Sequence, residues 1–176
     1  MIIALDSYYK YDICNTSLVL FNSVEDDTPI YTDTIFTNVT SEYIPGQFYK
    51  RELPGIIQIL NKFKNEHNDW WNDVALIILD SFIMLKAEGK IWEGLGQHLK
   101  NDYLKDDNKL IIGVAKTNFG ECNEISEIVY RGESKTPLYV QSINSNYVAA
   151  LIIKQMHGKY RIPTMLKLVD QLSRKF

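Results

Sequence analysis

Ile2-Ile3-Ala4-Leu5-Asp6 and Leu76-Ile77-Ile78-Leu79-Asp80 have one shape, a continuous apolar run that releases a carboxylate. Such a short run is the pattern of a strand covered on both faces. If the two strands are parallel neighbours, about 4.8 Å apart, both acids emerge on one edge of the sheet. Two carboxylates that close repel each other, and one of them should titrate high unless a cation sits between them. Mg²⁺ fits that place. It prefers oxygen ligands and usually keeps several waters beside one or two carboxylates.

The surrounding sequence fills in a mixed sheet. Residues 17–22 and 30–37 supply β-branched and aromatic residues around the turn-like Glu25-Asp26-Asp27-Thr28-Pro29, which predicts a three-stranded antiparallel meander over 2–37. Ile56, Ile59, Leu60 and Phe63 recur at helical spacing behind Pro54, predicting a helix over 53–66 with Glu52 just before it. The buried-strand pattern returns at 74–79 and 110–115, with a helix over 92–103 between them, so these strands should run parallel to the first. Residues 127–131 and 138–142, bracketing Gly132-Glu133-Ser134-Lys135, read as a hairpin at the sheet's margin. Helices over 147–157 and 164–175, parted by Gly158 and Pro163, close the chain, and helices are expected on both faces of the sheet.

Within this layout Glu52 is the candidate third acid, able to hold a second ion or orient an attacking water. Lys116 follows the 110–115 strand and should emerge on the same edge, where an ammonium can balance the carboxylates or neutralise a phosphate.

Composition narrows the class. The 176 residues match one domain, 1–176, and 45% hydrophobic with 23% charged residues is ordinary for a soluble globular protein. No run is long enough to span a bilayer and no signal segment leads the chain, so a cytoplasmic protein is expected. Cys14 and Cys122 form no C-x-x-C pair, and His67, His98 and His157 are too dispersed for a zinc site. A net charge of −3 argues against a nucleic-acid clamp over the whole surface, but from residue 143 onward six cations oppose only Asp170. That segment is either a solvated helix face or a phosphate-contacting edge.

Four further segments carry a resemblance. Tyr43-Ile44-Pro45-Gly46 followed by Arg51-Glu52 and Pro54, then Ile112-Gly113-Val114-Ala115-Lys116, Thr136-Pro137-Leu138-Tyr139-Val140 and Gly158-Lys159-Tyr160-Arg161-Ile162-Pro163, resemble in order the motifs of the endonuclease V family. The match runs from Ile2 to Leu172. It implies a ribonuclease H-like α/β fold and Mg²⁺- or Mn²⁺-dependent cleavage of a phosphodiester bond 3′ to a deaminated adenine, inosine or deoxyinosine, in nucleic acid, as in DNA repair. Asp6, Glu52 and Asp80 align with the family's metal-site acids. Tyr43 would belong to the wedge at the lesion and Gly46 to the backbone that approaches the extruded base, with Ile44, Pro45 and Ser81 as further substrate-binding residues. A monomer is expected.

The chain also departs from that pattern. Where the family has a glycine-rich Asp-Gly-x-Gly loop and then His-Pro-Arg, this sequence reads Asp80-Ser81-Phe82-Ile83-Met84-Leu85-Lys86, with no histidine before His98. Ser81 places a side chain where the family leaves room for the base. Asn144-Ser145-Asn146 replaces a further acid, and the first strand begins at Ile2 without the family's preceding helix, so the chain reads as a divergent, N-terminally short member. Weak, poorly selective nicking is the expectation. The alternative is a nucleic-acid-binding or protein-interaction module that keeps the fold with weakened catalysis.

Overall fold

The computed structural model describes residues 1–23, 25–39, 49–80, 85–87, 90–93, 95–115, 126–130, 137–142 and 161–176. The expected helix over 147–157 lies outside them, as do Tyr43, Ile44, Pro45, Gly46, Ser81 and Lys116.

Strands β1 (Ile2–Lys10), β2 (Ile13–Phe21) and β3 (Tyr31–Asn38) form the expected meander. Helices α1 (Tyr49–Glu66) and α2 (Asn68–Asp73) follow, then β4 (Leu76–Leu79) and a small hairpin of β5 (Leu85–Ala87) and β6 (Lys90–Glu93). The chain continues through α3 (Leu95–His98), which widens into a π-helical turn at Leu99–Tyr103, then β7 (Leu110–Ala115), β8 (Ser126–Tyr130), β9 (Pro137–Ser142) and α4 (Arg161–Ser173). The seven strands of the main sheet lie in the order β3-β2-β1-β4-β7-β9-β8. β4 runs parallel to β1 and β7, and the other neighbours are antiparallel. This mixed sheet flanked by helices is a ribonuclease H-like arrangement.

Alternation along the strands divides the core in two. Ile2 and Ala4 join Val19, Phe21, Ile78, Ile112 and Val114 under α4, which contributes Met165, Leu166 and Val169. Ile3 and Leu5 join Leu18, Leu20, Ile77 and Ile111 under α1, which contributes Ile56, Ile59, Leu60 and Phe63. Helices therefore cover both faces, as the buried-strand pattern requires.

Three local expectations are corrected. β1 does not end at Asp6 but continues against β2 to Lys10; what ends there is β4, whose pairing with β1 stops at Leu5↔Leu79. The helix predicted over 53–66 starts at Tyr49, so Glu52 lies in its first turn and Pro54 inside it. Pro54 forfeits one backbone bond, to the Lys50 carbonyl, whereas full burial of Ile56, Ile59, Leu60 and Phe63 stabilises the helix by about 6–12 kcal/mol, so the proline does not set the boundary. Of the helix predicted over 92–103, only Leu95 onward is helical; Lys90–Glu93, with Ile91 and Trp92 at its centre, pairs with β5 instead.

Gly55 sets how closely α1 approaches the sheet. A Cβ there would run into Thr16 Oγ1 and come within 3.4 Å of Thr37 Oγ1. Thr16 is stiff at χ1, and its hydroxyl is held by Ser7 Oγ at 3.0 Å and by Cys14 Sγ at 3.6 Å, so it cannot simply turn away. Alanine gains about 1 kcal/mol of helix propensity but costs about 1–3 kcal/mol in overpacking. Gly55→Ala is therefore expected to destabilise by about 1 kcal/mol and Gly55→Val by more, read from denaturant midpoints; a stabilised Gly55→Ala would refute the close approach.

Candidate metal centre

Asp6 continues the α4-facing row of Ile2 and Ala4, and Asp80 follows Leu79 at the end of the parallel neighbour. The Asp80 N–H donates to the Leu5 carbonyl at 3.2 Å, which ties the residue after β4 to β1 beside Asp6. The sequence predicts these two acids together, and they are together. A third acid joins them: ligand oxygens of Asp6, Asp80 and Asp170 all lie within 4.8 Å of one another, and each of the three residues is partly buried.

Asp170 comes from α4. Met165, Leu166 and Val169 point that helix into the sheet, and Asp170, one residue on and one turn beyond Leu166, falls at the margin of its apolar stripe above Asp6. By composition Asp170 is only the lone acid in a basic segment. An acid bordering the buried stripe of an otherwise cationic helix is the signal that could have singled it out.

Ser173 links the helix to the strand. Its hydroxyl donates to Asp6 Oδ2 at 2.8 Å and lies 2.9 Å from the Asp170 carbonyl, so one hydrogen is shared between the two acceptors. Arg174 Nε donates to Asp170 Oδ1 at 2.8 Å, leaving the other carboxylate oxygen of Asp170 outside that bond.

Glu52 approaches from the other face. It stands in the first turn of α1 and lines the same cleft as Asp6, Ser7, Leu79 and Asp80, but it is not one of the three acids whose ligand oxygens cluster. Glu52 is partly buried overall. That burial, helped by the charges of Asp6 and Asp80 and opposed by the Tyr9 hydroxyl, pushes its pKa up to about 8. Burial likewise raises Asp6 to about 7, with Asp80 adding to the rise and the Ser173 hydroxyl opposing it. The Tyr9 phenol is raised by burial and then by Glu52, and it lies near that carboxylate without hydrogen-bond geometry: its Oη is a buried, unpartnered atom. Arg51 stacks over the Tyr9 ring at 4.7 Å with its own Nε unpartnered.

Chemically, the arrangement is three hard oxygen donors converging on one point, with a fourth, protonatable carboxyl across the cleft. Oxygen-only donors are ligands suited to a hard divalent cation. A divalent cation would offset both the burial that raises Asp6 and the repulsion from Asp80 that adds to it. Acids able to hold a metal ion thus sit together.

No family model matches the chain, and no curated protein matches it by sequence. Solved structures do. An endonuclease V variant from Ciona intestinalis, in complex with a 23mer DNA containing an inosine followed by a ribo-adenosine, superposes with a TM-score of 0.77 at 19% identity, over 99% of this chain and 83% of that one. The human ENDOV structure gives 0.73 at 19% identity, over 99% and 82%. The Marinitoga piezophila Argonaute bound to a guide RNA gives 0.61 at 13% identity, over 98% of this chain but 29% of that much longer one. The fold is endonuclease V-like. Among the described residues no helix is long and apolar enough to cross a membrane.

Proposed function

We propose that this chain is a Mg²⁺- or Mn²⁺-dependent endonuclease that hydrolyses a phosphodiester bond 3′ to a deaminated base, inosine or deoxyinosine, in DNA or RNA, acting as a cytoplasmic monomer in repair. The observation that carries the reading is the convergence of Asp6, Asp80 and Asp170 within 4.8 Å at the end of β4, in a fold shared with an endonuclease V crystallised on inosine-containing DNA.

Asp6, Asp80 and Asp170 would hold the ion, and Ser173 keeps Asp6 aimed by donating to Oδ2. A bound divalent ion would lower the pKa of a coordinated water and offset charge on a phosphoryl oxygen. Glu52 faces the cleft as a carboxyl whose affinity for a proton, near pH 8 without the ion, suits it to accept one from an attacking water. Lys116 is assigned the neutralisation of the scissile phosphate, Tyr43 the wedge with Ile44 and Pro45 as substrate-binding neighbours, and Gly46 and Ser81 the base pocket.

Ser81 and the apolar residues after it replace a glycine-rich loop. A hydrophobic pocket separates small groups by only about 1–3 kcal/mol, whereas polar readout of a base edge reaches far larger ratios. The expected result, on matched inosine and adenosine oligonucleotides in DNA and RNA with Mg²⁺, is therefore weak nicking with little preference for inosine. Robust inosine-specific cleavage would overturn the account of the loop. No cleavage with Mg²⁺ or Mn²⁺, alongside intact nucleic-acid binding, would favour the binding-module alternative.

A further inference from the structure

The face of the sheet that carries Asp6 does not end there. β1 continues on the same side through Tyr8 and Lys10, two residues or about 7 Å apart at each step. Tyr8 pairs through Asn15 to Phe36 in one cross-strand row, all beneath the end of α4. Asn15 Nδ2 donates to the Leu172 and Lys175 carbonyls and so fastens that end to the row. Phe176 lies over it, with ring centroids 5.9 Å from Tyr8 and 5.7 Å from Phe36. Arg174 stands over the Tyr8 ring at 4.6 Å, and Lys10 lies 5.9 Å from the rings of both Phe176 and Tyr11.

Tyr8 is half-buried beneath Phe176 and Arg174, and the other three rings face outward. Tyr11 is 85% exposed, Phe36 54% and Phe176 48%. Tyr11 also holds φ at 56°, in the first position of a two-residue turn closed by Lys10↔Ile13, where glycine is the usual residue. A bulky side chain in a left-handed conformation at a hairpin tip is costly, and it buries nothing there. Aromatic faces interleaved with Lys10 and Arg174, contiguous with a carboxylate cluster, combine the two elements that hold an unpaired strand: flat surfaces for bases and cations for phosphates. Asp12 is the acid at the turn, and Arg174 already compensates Asp170.

We infer that Tyr8, Tyr11, Phe36 and Phe176, with Lys10 and Arg174, form a stacking platform for single-stranded nucleic acid entering or leaving the carboxylate cleft. The inference rests on the nuclease reading for its orientation but not for its chemistry. Rings and cations address bases and phosphates, so the platform does not distinguish ribose from deoxyribose. It also accounts for part of the basic C-terminal segment as a phosphate-contacting edge.

The test is fluorescence anisotropy of labelled oligothymidylate and oligouridylate with the full chain in EDTA, where no cleavage occurs. Phe36→Ala and Phe176→Ala are each expected to weaken binding about 5- to 100-fold. Tyr11→Gly should weaken binding similarly while leaving the melting temperature no lower than wild type, because glycine accepts the positive φ. A purely structural role would move stability and binding together. Ring variants that bind like wild type, or a more than tenfold preference between the two oligonucleotides, overturn the platform. So does binding lost only with Lys10→Ala and Arg174→Ala. Ring-dependent binding without cleavage in Mg²⁺ or Mn²⁺ would leave the platform standing and defeat the nuclease reading; cleavage with ring-independent binding would do the reverse.

Discussion

Asp6→Asn is expected to abolish Mn²⁺ binding at the acid cluster and to lower any nicking activity by at least about 10³-fold, since the several kcal/mol a bound ion contributes to a transition state is lost with its ligand. Ligand oxygens of Asp6, Asp80 and Asp170 all lie within 4.8 Å of one another, and Asp6 also receives the Ser173 hydroxyl at 2.8 Å. Asp170→Asn should weaken the ion as well. Because Asp170 is also bonded to Arg174, that variant leaves a cation uncompensated beside the site, and its repulsion of the ion should deepen the loss of affinity. Glu52→Gln separates the roles. It leaves the three clustered donors in place, so Mn²⁺ should still bind while turnover falls. Isothermal titration with Mn²⁺ together with nicking assays decides the matter; Asp6→Asn binding the ion like wild type would remove the metal centre from the account.

The second large effect is on stability against pH. Without an ion, Asp6 titrates near 7 and Glu52 near 8, against ordinary values of 3.8 and 4.5. Burial is the main cause in both. Between about pH 4 and pH 8 the folded chain therefore binds more protons at these two groups than the unfolded chain does, and stability falls as pH rises through that window. Each group's shift corresponds to about 1.4 kcal/mol per pH unit at most. Solvent screening and the coupling between the groups reduce the combined effect to about 2–4 kcal/mol, or about 5–15 °C in melting temperature for a chain of this size. The expected result is a metal-free protein that melts higher at pH 5.5 than at pH 8.5, with millimolar Mg²⁺ recovering much of the loss at pH 8.5 only. Calorimetry at the two pH values checks it, and Asp6→Asn/Glu52→Gln should flatten the difference. A melting temperature that rises from pH 5.5 to 8.5 in EDTA would contradict the burial of these carboxyls.

Strand runs were the legible part of this chain. Ile2–Leu5, 74–79 and 110–115 read as buried strands because residues covered on both faces leave no polar alternation, and these segments form the centre of the sheet. Asp6 and Asp80 were legible with them, since each follows the apolar run of one of two parallel neighbours, whose ladder stops at Leu5↔Leu79. Helix boundaries were less so. Pro54 suggested a later start for α1 than the one that packing enforces, and Trp92 sat in a segment whose periodicity did not separate helix from strand.

By itself, then, the sequence determined that an α/β chain with parallel central strands brings Asp6 and Asp80 to one edge, because strand register and alternation are local rules. Only the tertiary structure decided that Asp170 completes the cluster and that Glu52 stands across the cleft from it. It alone brought the exposed rings of Phe36 and Phe176 together over the half-buried Tyr8. Asp170 is 164 residues from Asp6 by their numbering, and no spacing rule connects them. They meet because Met165, Leu166 and Val169 bury one stripe of α4 against the sheet, and the rotation that buries that stripe carries Asp170 and Ser173 over β1.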